Sequence, residues 1–150
     1  MKLKNLFEDK KEVTMKATDH FITNIETDTI KNRYFRKVLY TTKSFQLVLM
    51  SIEPKSDIGM ETHKTITQFI RVEKGTGKAI FNGKEHDISD GSAFVIPNGT
   101  EHNIINTSNS NDLKIYSIYS PPNHTKNTIH KTKEDAEKDD EHFDGKTDVK

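Results

Sequence analysis

The chain has 150 residues, enough for one domain with one hydrophobic core and too few for two independent ones. Lys plus Arg and Asp plus Glu number 23 each and the pI is near 7.1, so no global field gathers nucleic acid or an anionic membrane, and a small molecule is the expected partner. There is no cysteine, hence neither a disulfide framework nor a thiolate zinc site, and any metal must rest on His and oxygen ligands.

Hydrophobic and charged residues each make up 31% of the chain, a low apolar share for a compact globule, but the apolar residues are concentrated between Phe21 and Tyr119. This predicts an N-terminal extension over 1–20, a folded unit over 21–122 and a polar, largely disordered tail over 123–150. The first segment has room for a short helix over 3–12, and it turns charged too early for a signal peptide. No apolar run is long enough to span a bilayer, and a cytoplasmic protein is expected.

From residue 33 onward the chain reads as short strands bounded by turn residues. Strands are predicted over 33–40, 45–52, 67–73, 78–81, 85–88, 93–96, 102–106 and 113–119. The run at 45–52 is mostly apolar, as in a strand buried on both faces. Asn82-Gly83 is a two-residue hairpin signal, because both residues tolerate positive φ. About eight strands with no helix between them argue for an all-β antiparallel sandwich or barrel. Pro121-Pro122 closes the last strand. A short helix over 132–138 is predicted, with Thr132 as N-cap and Asp135 three residues on.

Two segments carry chemistry. Gly91, Pro97, Gly99, His102 and Asn106 reproduce G-x5-P-x-G-x2-H-x3-N with no gap, and so resemble the second cupin motif at every fixed position. Upstream, Glu61, His63, Gln68 and Gly75 fit the spacing of the first motif, H-x-H-x(3,4)-E-x6-G, with Glu61 where a His is usual and Gln68 where a Glu is usual. The resemblance implies a cupin double-stranded β-helix, a jelly-roll barrel, with polar, partly disordered extensions. It also implies a mononuclear metal site made of Glu61, His63, Gln68 and His102.

The residues are consistent with that reading. Glu61 and His63 are two apart and share one face of an extended segment. Two imidazoles, a carboxylate and an amide oxygen suit Zn, Mn or Fe. Gln68 has a second reading, as a residue that binds the ligand or orients His63.

Over 24–136 the chain also resembles small stand-alone cupins described as mannose-6-phosphate isomerase-like. In true phosphomannose isomerases the zinc ligands are a Gln, a Glu and two His, the same inventory. This implies a metal-dependent aldose-ketose isomerase acting on a sugar or sugar phosphate, and a homodimer. Two alternatives stand beside it: a non-enzymatic metal- or ligand-binding cupin, and a non-haem iron dioxygenase, for which Glu61, His63 and His102 suffice. No general base is evident.

Among the remaining residues, His124 and His130 either fold over a barrel mouth or belong to a solvated tail. His20, His86 and His142 read as surface residues. Lys64, Arg71, Lys78 and Lys114 are candidate anion contacts, although parity from Gln68 turns Arg71 outward. Phe45, Phe69, Phe81, Phe94 and Tyr116 read as core.

Overall fold

A computed structural model describes residues 20–149 of the chain. The helix expected over 3–12 lies outside the described residues. Ten strands and two short helices follow one another: α1 (Ile25–Lys31), β1 (Arg36–Thr41), β2 (Gln46–Ile52), β3 (Glu61–Thr62), β4 (Thr67–Lys74), β5 (Gly77–Phe81), β6 (Lys84–Ile88), β7 (Ala93–Ile96), β8 (Glu101–Asn106), β9 (Leu113–Ser120), β10 (Ile129–His130) and α2 (Lys133–Lys138). They form a six-stranded sheet in the order β10-β1-β2-β9-β4-β7 and a four-stranded sheet in the order β3-β8-β5-β6. Every pairing is antiparallel, as expected of a jelly-roll barrel.

The eight expected strands are all present, with ends moved by three residues or fewer. At the β5–β6 hairpin Asn82 has φ 49° and Gly83 φ 84°, the two left-handed residues that such a turn requires. Three elements were not foreseen. β3 and β10 are two residues each, too short for a periodicity signal. α1, 7 residues long, is capped by Asn24, whose side chain accepts a hydrogen bond from the Thr27 amide at 3.0 Å.

Alternation places the core. On β4, Gln68, Ile70 and Val72 are buried while Phe69 and Arg71 are less so. Val48, Met50 and Ile52 on β2 and Ile115 on β9 meet them between the sheets, all fully buried. Each such side chain stabilises the fold by about 1.5 to 3 kcal/mol.

The aromatic residues depart from expectation: none of Phe45, Phe69, Phe81, Phe94 and Tyr116 is in the buried core. Phe69 and Tyr116 pair on the outer face of the six-stranded sheet with ring centroids 6.3 Å apart, because parity assigns the inner positions to their neighbours Gln68, Ile70, Ile115 and Ser117. Phe81 and Phe94 pack against the rim of the core, and Phe45 is 36% exposed.

The motif glycines act through the backbone. Gly99, at φ +87°, donates its amide to the carbonyl of His63 at 2.7 Å and ties the two motifs together. At Gly75 a Cβ would lie 2.9 Å from the Asp112 carbonyl oxygen, so a side chain there forces β4 off β9. Asn106 holds its corner with a side-chain amide that donates to the carbonyls of Ile52 and Asn111, both at 2.8 Å.

Residues 123–149, polar enough in composition to suggest a largely disordered tail, follow a defined path across the barrel. The buried amide of Gln46 bonds the backbone of His124 on both sides, through its Nε2 to the carbonyl at 2.7 Å and its Oε1 to the amide at 2.9 Å. Glu141 accepts from His124 Nδ1 and from the Thr125 amide, both at 2.6 Å. Further on, the Asp148 carboxylate accepts from the Thr41 amide at 2.8 Å. α2 starts as expected, with a complete capping box between Thr132 and Asp135. No helix among the described residues is long and apolar enough to cross a membrane.

Candidate metal centre

At one end of the barrel the four-stranded sheet and the segment that follows β3 bring three potential ligands together. β3 pairs with β8 so that Glu61 lies opposite His102, and His63 follows two residues on, on the Glu61 side of the chain. One ligand atom from each of Glu61, His63 and His102 lies within 4.8 Å of the other two. Glu61 Oε1 is 3.4 Å from His63 Nε2, and the two imidazole centroids are 5.4 Å apart. Neighbouring ligands around one ion with bonds of about 2.1 Å sit roughly 3.0 to 3.4 Å apart, so modest side-chain movement brings all three into one shell.

The protonation states fit that use. His102 donates Nδ1–H to the Thr100 carbonyl at 2.9 Å, which leaves the lone pair on Nε2. Burial lowers the pKa of His63, with the Glu61 carboxylate opposing it and His102 and Arg36 reinforcing it, so its imidazole is held neutral. Nε2 of both histidines is buried without a hydrogen-bond partner. Buried acceptors of this kind are costly unless something fills the space between them.

Gln68 belongs to the same end. It is 2% exposed and pairs across β4 and β9 with Tyr119, whose ring packs edge-on against His63 at 5.8 Å. Its Nε2 donates to Ser117 Oγ at 2.7 Å, and the opposite atom, Oε1, is buried with no partner. The amide is thus oriented by its nitrogen and keeps its oxygen free. Two imidazoles and a carboxylate, with a free amide oxygen at the same end of the barrel, are a donor set that fits a divalent metal ion.

Tyr119 and Arg36, which the sequence does not single out, complete the surroundings together with the two tail histidines. Burial pushes the Tyr119 hydroxyl up to about 12, against the nearby Arg36 charge, so it keeps its proton. His124 lies 5.3 Å from Tyr119 between ring centroids and is 6% exposed. Burial lowers its pKa although Glu141 opposes this; the pair is best described as a neutral imidazole that donates Nδ1–H to an ionised carboxylate. His130 is also buried, against Arg36 and Asp139. Both tail histidines therefore fold over the barrel. The signal for Arg36 was available, since it is two residues from Val38 and shares its inward face.

The other candidates lie elsewhere. His20, His86 and His142 are exposed, as expected. Lys64 is exposed, Arg71 turns outward to Glu73, and Lys78 pairs with Asp87 at 2.8 Å on the surface. Lys114 is buried at another position, with its ammonium donating to the Asn32 carbonyl at 2.6 Å and to Ser51 Oγ at 3.0 Å, and it pins α1 to the sheet.

Comparison with known proteins agrees with this architecture. Residues 48–119 match the cupin domain family. The chain is 47% identical over 123 residues to the uncharacterized protein YrkC of Bacillus subtilis (strain 168), covering 77% of this chain and 65% of that one, so it spans just under two thirds of this relative's length. It is 47% identical over 108 residues to the uncharacterized protein L612 of Acanthamoeba polyphaga mimivirus, covering 69% of this chain and 67% of that one. The crystal structure of BH2720 from Bacillus halodurans superposes with a TM-score of 0.78 at 43% identity, over 81% of this chain and 99% of that chain. The chain thus contains a cupin domain and belongs to one family with these relatives.

Proposed function

We propose that the protein holds one divalent ion through Glu61, His63, His102 and Gln68, and that it acts there on a small hydroxy-carbonyl compound in the manner of an aldose-ketose isomerase. The observation that carries this reading is the set of three buried polar atoms, His63 Nε2, His102 Nε2 and Gln68 Oε1, none with a hydrogen-bond partner. A bound ion would polarise a substrate carbonyl and acidify the adjacent C–H. The residues around it can do the rest. Tyr119 holds a proton that it can donate to a substrate oxygen, and the neutral His124 beside it is able to receive one. Glu61, with a side chain 34% exposed, marks the side from which substrate enters.

Elemental analysis of the purified protein beside His63→Ala and His102→Ala tests the site. The wild type is expected to retain one equivalent of metal and both variants to lose it, with Gln68→Ala intermediate because one ligand of four is removed. Equal metal in all the proteins, or metal in none, sinks the reading. Interconversion of aldose and ketose phosphates with Zn, Mn or Fe tests the reaction. The trio of two histidines and one carboxylate also supports a dioxygenase, and oxygen consumption with iron and no isomerisation selects it.

A further inference from the structure

Arg36 occupies an unusual position for an arginine. On β1 it shares its face with Val38, which is 4% exposed and part of the core, whereas Lys37 takes the other face. A guanidinium stays charged at any relevant pH, and one drawn into the interior calls for a counter-charge. Arg36 has none: among the described residues no carboxylate pairs with it. Its NH1 donates to His130 Nδ1 at 3.1 Å, a neutral acceptor. Its Nε is buried with no partner, and the hydrogen bond seen for its terminal nitrogens is that of NH1. Its positive charge lies close enough to the metal centre to be felt by His63, Tyr119 and His124.

The unused donors are on one edge. Nε–H and the NH2 group syn to it lie in a plane and point the same way, which matches the two oxygens of a carboxylate in a side-on, bidentate contact. The remaining nitrogen, NH1, is the one that His130 holds. His130 is held in turn: because arginine can only donate, His130 Nδ1 is the acceptor, and Nε2–H donates to the Asp139 carboxylate at 2.9 Å. Asp139 and His130 are thus positioning residues that aim the free edge. With a divalent ion bound, Glu61 alone does not offset the charges of the ion and Arg36, and an anionic ligand reduces the excess.

We propose that the Nε–NH2 edge of Arg36 binds the carboxylate of a small organic acid, whose carbonyl or hydroxyl oxygen is thereby brought toward Glu61, His63 and His102. The proposal rests on the metal reading only for that second contact. Calorimetric titration with pyruvate, glycolate and malonate, with manganese present and after chelation, tests it on the wild type, Arg36→Gln, Arg36→Lys and His130→Ala. At least one acid is expected to bind the wild type, with methyl pyruvate and inorganic phosphate weaker by about tenfold or more, the scale of a charge-assisted hydrogen bond. Arg36→Gln is expected to lose about as much affinity, and Arg36→Lys, which keeps the charge without the fork, most of it. His130→Ala is expected to weaken acid binding, with a binding stoichiometry still near one. Metal content is expected to stay at the wild-type level in both Arg36 variants.

Binding of none of the three acids, a preference for phosphate, or unchanged affinity in the Arg36 variants overturns the proposal. Should Arg36→Gln fail to fold, Arg36→Lys carries the test. The two readings separate: acid binding that depends on Arg36 in a protein that holds no metal keeps this inference and removes the metal, and the reverse pattern does the opposite.

Discussion

The barrel and the tail that crosses it are held by different forces. Between the sheets, Ile70, Val72, Ile115 and their neighbours are fully buried and hold together by apolar contact. Over 123–149 the buried side chains include two histidines, and the contacts are hydrogen bonds and ion pairs through Gln46, Glu141, Asp139 and Asp148. Apolar burial is cooperative and non-directional, whereas a polar strap depends on a few bonds, each replaceable by water. The barrel is therefore expected to unfold as a unit and the tail to open on its own, at lower free energy.

Three experiments bear on that difference. The largest effect is expected from Ile115→Ala, which leaves a cavity between Met50 and Val72 and costs about 2 to 5 kcal/mol in urea unfolding, in one transition that includes the tail. Glu141→Gln is expected to cost about 1 to 3 kcal/mol, and to cost it locally. In that variant hydrogen exchange speeds up at His124 and Thr125 and is unchanged in β2 and β9. If Glu141→Gln loosens the barrel equally, the two regions are one cooperative unit.

The smallest effect comes with acid. Burial raises the pKa of Glu141, but the bonds from His124 and Thr125 outweigh it and hold the carboxyl down at about 2, against an ordinary 4.5. Its contribution is whole above 4.5 and is lost as pH falls toward 2. His124 adds to this in the same direction: a released tail takes up a proton below about 6.5, and the docked one resists it. Tail exchange, corrected for its intrinsic rate, is expected to rise as pH falls from 7 to 3, with the lower part of the rise absent in Glu141→Gln. A flat profile in the wild type removes the role assigned to this pair.

The same contrast explains what could be read from the sequence. The second motif was legible because fixed residues around His102 answer local backbone demands: Gly99 a positive φ, Asn106 a corner that its amide closes. Glu61, His63 and His102 were legible through strand parity and that motif. Gln68 could be placed inward, but the role of its oxygen depends on Ser117, 49 residues away, which fixes the nitrogen end. Phe69 and Tyr116 were misread because hydrophobicity was weighed without the parity of their strands. Arg36 was overlooked among the charges of residues 33–37, although its distance from Val38 was sufficient to turn it inward. The tail left no apolar period to follow, and its partners, Glu141 for His124 and Asp139 for His130, are identified only once the chain is folded back.

The two-residue strand β10 has a further consequence. It lies along β1, at one border of the six-stranded sheet, and occupies backbone donors and acceptors that would otherwise be open to a neighbouring chain. The other border, β7, has no such guard among the described residues, and its Val95 is 59% exposed. Among the described residues the sheet thus has unpaired backbone groups at β7, and release of the tail would expose those of β1 as well.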